Sequence, residues 1–169
     1  MRNKINYLWK SFNELSIDDL YAILSLRQEV FVLEQNCPYI DADCSDQDAF
    51  HLLGYENKNL IGYLRAFPPK IKYDGSSMGR IVIKASHRGN DLGKEITNIG
   101  KDFLWEKYPQ DEIVISAQHR LLSFYNQLGF KNRGEIYLED NIDHIQMFIE
   151  PNFLIFFICF RSIGLSTLL

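Results

Sequence analysis

Nowhere in the 169 residues is there a run of lysine or arginine, and the formal net charge is -4. A nucleic-acid partner needs a basic stripe to neutralise phosphates, so that class of function is excluded. Cysteine is scarce. Cys37, Cys44 and Cys159 are odd in number, and their spacing fits no disulfide scaffold, so a reducing, cytoplasmic setting is expected. The opening segment MRNKINYLWKSF lacks an apolar stretch of the signal-peptide kind, and no secretory leader is expected. Metal-binding patterns are missing too. Asp41, Asp43, Asp46 and Asp48 crowd one segment, but Asp46 and Leu52 stand where a calcium loop needs Gly and Glu. Cys37, Cys44 and His51 are evenly spaced but match no zinc pattern and lack a fourth ligand. No metal is expected.

What is present is an ordinary globular balance, 46% hydrophobic and 24% charged, sufficient for one domain over residues 1–150. Ile5, Tyr7 and Trp9 alternate as in a strand. Ser16 and Asp19 form a capping box before a helical stripe of Leu20, Ile23, Leu24, Leu26 and Val30, which must end before Pro38. The acidic segment Tyr39–Asp48 reads as a solvated loop. Strands are expected near Phe50–Tyr55, Leu60–Phe67, Met78–Ile83, Ile113–Ile115, Gly134–Leu138 and His144–Ile149. Leu92, Ile96, Ile99 and Phe103 mark a second helix, and Leu121–Leu128 a third with Gly129 as its left-handed cap. This order indicates an α/β domain with a mixed sheet. Residues 151–169 form an apolar tail of unassigned role. Its segment Phe153–Leu169, interrupted by Arg161, falls short of the ~20 apolar residues of a span, and any membrane contact would run through it.

The buried strand Gly79–Ile83 leads through Lys84–His87 into Arg88, Gly89, Asn90, Asp91, Leu92, Gly93 and Lys94 at the start of a helix. The first N–H groups of a helix have no internal partner and, with the macrodipole, make an anion site. The glycines allow a phosphate to approach the main chain.

The order RIVI, RGNDLG and ISAQHRLLSFYNQLGF resembles the GNAT acetyltransferases. More narrowly, LRQEVFVLEQNCPYIDAD, HLLGY, GRIVI, SAQ, FYNQLGF and EDNIDHIQM are similar to the ElaA-like branch over roughly residues 7–149. The resemblance implies a single-domain, GNAT-like mixed and largely antiparallel sheet flanked by helices on both faces. It further implies an enzyme moving an acetyl group from acetyl-CoA to a primary amine by direct attack in a ternary complex. The acceptor would be a small amine or a protein lysine. By the same resemblance, Arg88–Lys94 hold the pyrophosphate, Ile81, Val82 and Ile83 meet the pantetheine arm, and Tyr125 is the general acid. Asp91 stands where the family pattern has glycine, and its carboxylate is expected to point outward. That departure also keeps open a non-catalytic acyl-CoA-binding module of the same fold.

An alkylammonium with a pKa near ~10 must lose a proton before it attacks, so a base is required. Glu34, His51 and His144 are the candidates, with His119 and Glu139 behind them; Glu34 has Arg27 as a possible partner. The aspartates of the acidic loop are expected to draw a cationic amine toward the cleft.

Overall fold

A computed structural model describes residues 4–151, so the tail Phe153–Leu169 lies outside the described residues. Seven strands, β1 (Ile5–Ser11), β2 (Phe50–Glu56), β3 (Asn59–Phe67), β4 (Ser76–Ile83), β5 (Ile113–Gln118), β6 (Lys131–Glu139) and β7 (Ile142–Ile149), form one sheet in the order β1-β2-β3-β4-β5-β7-β6. Every pairing is antiparallel except β4–β5, which is parallel. Helix α1 (Ile17–Arg27) covers one face; α2 (Leu92–Lys107) and α3 (Leu122–Gln127) cover the other. The mixed, largely antiparallel sheet with helices on both faces is therefore as the sequence implied. Among the described residues, no helix is long and apolar enough to cross a membrane.

Local chemistry explains the helix ends. The Ser16 hydroxyl accepts from the Asp19 N–H at 3.0 Å, and the Asp19 carboxylate accepts from the Ser16 N–H at 3.0 Å, closing the predicted box. The chain does not stop at Arg27. It continues through Gln28–Glu34 in wider, π-type turns, with Cys37 N–H bonded five residues back to Val32 O at 3.1 Å. Gly129, at φ 91°, caps α3 as expected.

Strand alternation sorts the side chains. Leu52, Leu64, Ala66, Ile115 and Met147 join Ile96 and Leu104 of α2 in the main core. Leu53, Tyr63 and Val82 meet Ile23, Leu26 and Val30 of α1 in a second core. Each fully buried aliphatic side chain contributes about 1.5–3 kcal/mol. Helix α2 lies close on the sheet because Gly100 faces it: a Cβ there would stand 2.8 Å from Leu64 and 3.0 Å from Met78.

Candidate active site

The sheet opens between β4 and β5. Only Ser76 with Ile113 and Ser77 with Val114 remain paired; beyond them the strands part. On its other side β4 stays attached to β3, with Val82 opposite Tyr63 and Ile83 opposite Gly62, and an irregularity at Arg80, whose φ is 50°. The Lys84 N–H bonds to the Ile61 carbonyl at 2.8 Å, which sets Val82 against Tyr63 in the ladder and turns the main-chain groups of Ile81 and Ile83 toward the opening. The Ile83 carbonyl is taken by Arg88 Nε at 2.9 Å. A cleft of about 730 Å³ occupies the opening, a size suited to a small ligand. Because the opening cuts through the sheet, groups from both faces line it.

At one end lies the loop into α2. Gly89 has φ 82° and open space beside it. Asp91 is left-handed at φ 57°, a conformation that explains why glycine suits this position, and which Asp tolerates better than most residues. Its carboxylate points outward, 83% exposed and 3.4 Å from Lys94 Nζ, as expected. Arg88 reaches across the cleft mouth, where Nη1 and Nη2 grip Glu34 at 2.5 and 2.9 Å. Arg120, from the turn between β5 and α3, also lines the cleft. Sequence reading missed it because no spacing ties it to the loop.

Tyr125 projects from α3 on the α2 side and is buried, edge-on to Phe124 and Phe130. Burial pushes its phenol up to about 12. Tyr125 lines the cleft, and among the described residues its hydroxyl has no hydrogen-bond partner.

The three base candidates fall in different places. Glu34 lines the cleft but is committed to Arg88, not Arg27, and that hydrogen bond holds its carboxyl below the usual range. His51 is buried away from the cleft. It accepts from the Tyr63 hydroxyl at Nδ1 (2.7 Å) and donates from Nε2 to the Asp46 carbonyl (3.0 Å), and burial lowers its pKa. His144 lines the cleft from β7, stacked on Tyr137. Its Nδ1 lies 2.8 Å from the Ile142 carbonyl. A carbonyl only accepts, so the proton sits on Nδ1 and Nε2 keeps its lone pair in the neutral ring. Register places Gln118, His144 and Tyr137 in one row across β5, β7 and β6, on the face of α1.

The acidic loop behaves differently from expectation. Asp41 and Asp46 are buried rather than solvated. Arg27 donates to Asp41 Oδ2 at 2.6 Å, to Asp46 Oδ1 at 2.7 Å and to the Asp41 carbonyl at 2.8 Å. Arg65 binds Asp43 through both terminal nitrogens and reaches Asp46 at 2.8 Å; Arg80 Nε binds Asp41 Oδ1 at 2.7 Å. Burial works against the charged form of Asp46, but Arg27 and Arg65 overcome it and hold its carboxyl below the ordinary range. Of the four carboxylates expected to attract an amine, Asp48 stays exposed and the other three are neutralised by three arginines. They serve to pin the loop onto α1, β3 and β4.

A mixed seven-stranded sheet with helices on both faces is the fold of the GNAT acyltransferases among its structural neighbours. The acetyltransferase (GNAT) domain family matches residues 26–151. A UPF0039 protein of Synechocystis is 38% identical over 152 residues, covering 88% of this chain and 99% of that protein. Protein ElaA of Escherichia coli is 36% identical over 137 residues, covering 80% and 90% respectively. The crystal structure of ElaA superposes with a TM-score of 0.81 over 87% of this chain and 100% of that one. The structure of an acyl-CoA N-acyltransferase from Pseudomonas aeruginosa, 34% identical, gives 0.82 over 86% and 99%. The chain belongs to the GNAT acetyltransferase family, in its ElaA-like branch.

Proposed function

We propose that this protein is an N-acetyltransferase that moves the acetyl group of acetyl-CoA to a primary amine in a ternary complex, in a cytoplasmic setting. The observation that carries the reading is the opening between β4 and β5, where Tyr125 from one face of the sheet and His144 from the other line a single cleft. The name of the Pseudomonas neighbour, an acyl-CoA N-acyltransferase, supports the same donor.

The residues present fit acetyl-CoA. The free N–H groups at the start of α2, with Gly89 leaving room for close approach, would hold the pyrophosphate. The open edge of β4, at the Ile81 main chain and the Ile83 N–H, would pair with the amides of the pantetheine arm. When bound, acetyl-CoA supplies a thioester carbonyl for the amine to attack and a thiolate as leaving group. His144 Nε2 takes the proton from the acceptor ammonium. Tyr125 holds a proton at its hydroxyl, ready for the departing sulfur. The apolar surroundings that weaken Tyr125 as an acid also raise the proton affinity of a thiolate formed beside it.

Thiol release from acetyl-CoA, measured against a panel of amines across pH, tests this reading. Release is expected, with kcat/KM lowered by about a hundredfold in His144→Gln. CoA binding without release for any amine would instead make the protein a non-catalytic acyl-CoA-binding module.

Asp91 gives a second test at the cofactor end. Its carboxylate competes with the pyrophosphate for the positive end of α2. Asp91→Gly is expected to tighten CoA binding by about two- to fivefold, measured by calorimetry. Stability should change little, because relief of the left-handed conformation and the added chain entropy of glycine oppose each other.

A further inference from the structure

The acidic side chains lining the cleft are not equivalent. Glu34 is paired with Arg88 and Asp43 with Arg65. Glu139, at the end of β6, and Asp140 beside it line the same cleft without an ion pair to a cation among the described residues, and of these two only the Glu139 carboxylate accepts a side-chain hydrogen bond among those residues. Its position is nevertheless fixed. Ser116 Oγ donates to Glu139 Oε2 at 2.6 Å, which uses the one proton of that hydroxyl. Tyr137 must then donate to Ser116 Oγ, also at 2.6 Å. This chain orients the carboxylate while leaving Oε1 open.

The surroundings point to a ligand. Ser77, on the cleft lining between β3 and β5, is 2% exposed, and its hydroxyl has no partner among the described residues. An unpaired buried hydroxyl is costly in an empty protein. Tyr73, from the β3–β4 loop, lies close to Tyr137 and Glu139; burial first, then those two groups, pushes its phenol up to about 12. A carboxylate with a free oxygen beside two phenol rings is an ammonium seat.

Resting on the proposed amine acetylation, we propose that Glu139 seats a second, non-reacting ammonium of the acceptor, which is therefore a short aliphatic diamine or polyamine. A carboxylate stabilises the charged form of an amine, so the seated group keeps its proton and is spared. The amine that reacts is the one at His144. Tyr137, directly opposite His144 and stacked on it, shares the Ser116 hydroxyl with Glu139, so the imidazole and the carboxylate stand on either side of one phenol. That neighbourhood limits the acceptor to a short span between its two nitrogens.

The experiment compares thiol release with 1,4-diaminobutane and 1-aminobutane. The wild-type protein is expected to favour the diamine in kcat/KM by about ten- to a hundredfold. In Glu139→Gln the ratio should fall to about one, through a raised KM for the diamine. Ser116→Ala, which loosens the carboxylate without removing it, should lower the ratio partway. CoA titration of each variant reports whether the cofactor half is intact. Thiol release without a diamine preference in the wild type, or a preference that survives Glu139→Gln, would overturn the seat. Absence of release with every amine would instead overturn the acetyltransferase reading itself.

Discussion

Arg27→Ala is expected to destabilise the domain by about 3 kcal/mol, the low end for breaking a buried ion pair, measured as a fall in the urea midpoint. The Arg27 side chain is 0% exposed, and its removal leaves Asp41 and Asp46 buried with one fewer counter-charge. Asp46 would keep Arg65, and Asp41 would keep Arg80 and the Tyr39 hydroxyl, so the loss falls short of a wholly abandoned charge. The same cluster sets the response to acid. The carboxyls of Asp43 and Asp46 are held below their unfolded values. Their contribution is present above the unfolded carboxylate pKa of about 3.9 and is lost as pH falls through the folded values. Unfolding that begins below about pH 4 in the wild type should begin at a higher pH in Arg27→Ala.

Tyr125→Phe is expected to lower kcat by about a hundred- to a thousandfold, with the KM for acetyl-CoA nearly unchanged. The substitution removes only a hydroxyl that has no hydrogen-bond partner among the described residues, so stability should hold or rise slightly. A loss of rate with an intact melting curve separates chemistry from packing. The pH dependence adds a check. With the folded pKa raised to about 12, the phenol stays protonated beyond the unfolded value of about 10. Its linked stability is full below that unfolded value and is lost as pH rises through the folded one. An alkaline limb in kcat that falls well below pH 11 would therefore belong to another group.

Much of the fold was legible in the chain because it follows from short-range rules. The box at Ser16 and Asp19, the stripe of Leu92, Ile96, Ile99 and Phe103, and the glycine after α3 each act within a few residues. The proposed cofactor end was legible for the same reason, since strand, glycine turn and helix are consecutive. The acceptor side was not. Asp41, Asp43 and Asp46 read as a solvated acidic loop because their partners come from α1, β3 and β4. One signal was available: Arg65 interrupts the otherwise apolar run Leu60–Phe67, and a buried arginine requires carboxylates nearby. His51 and His144 both sit in strands and look alike in sequence. Only the tertiary contacts give one two partners and leave the other with a free nitrogen.

The parting of β4 from β5 has a mechanical meaning. Two residue pairs, Ser76 with Ile113 and Ser77 with Val114, are the only ladder between a four-stranded plate, β1 to β4, and a three-stranded plate, β5, β7 and β6. Helix α2, which connects the plates in the chain, packs on β3 and β4 and shares their core with β5 and β7. Beyond those pairs the two inner edges offer each other no ladder hydrogen bonds, which leaves main-chain groups for a chain-like ligand to satisfy. A bound pantetheine arm would take the place of the missing strand, so that the donor splints the two plates together while it delivers its acetyl group.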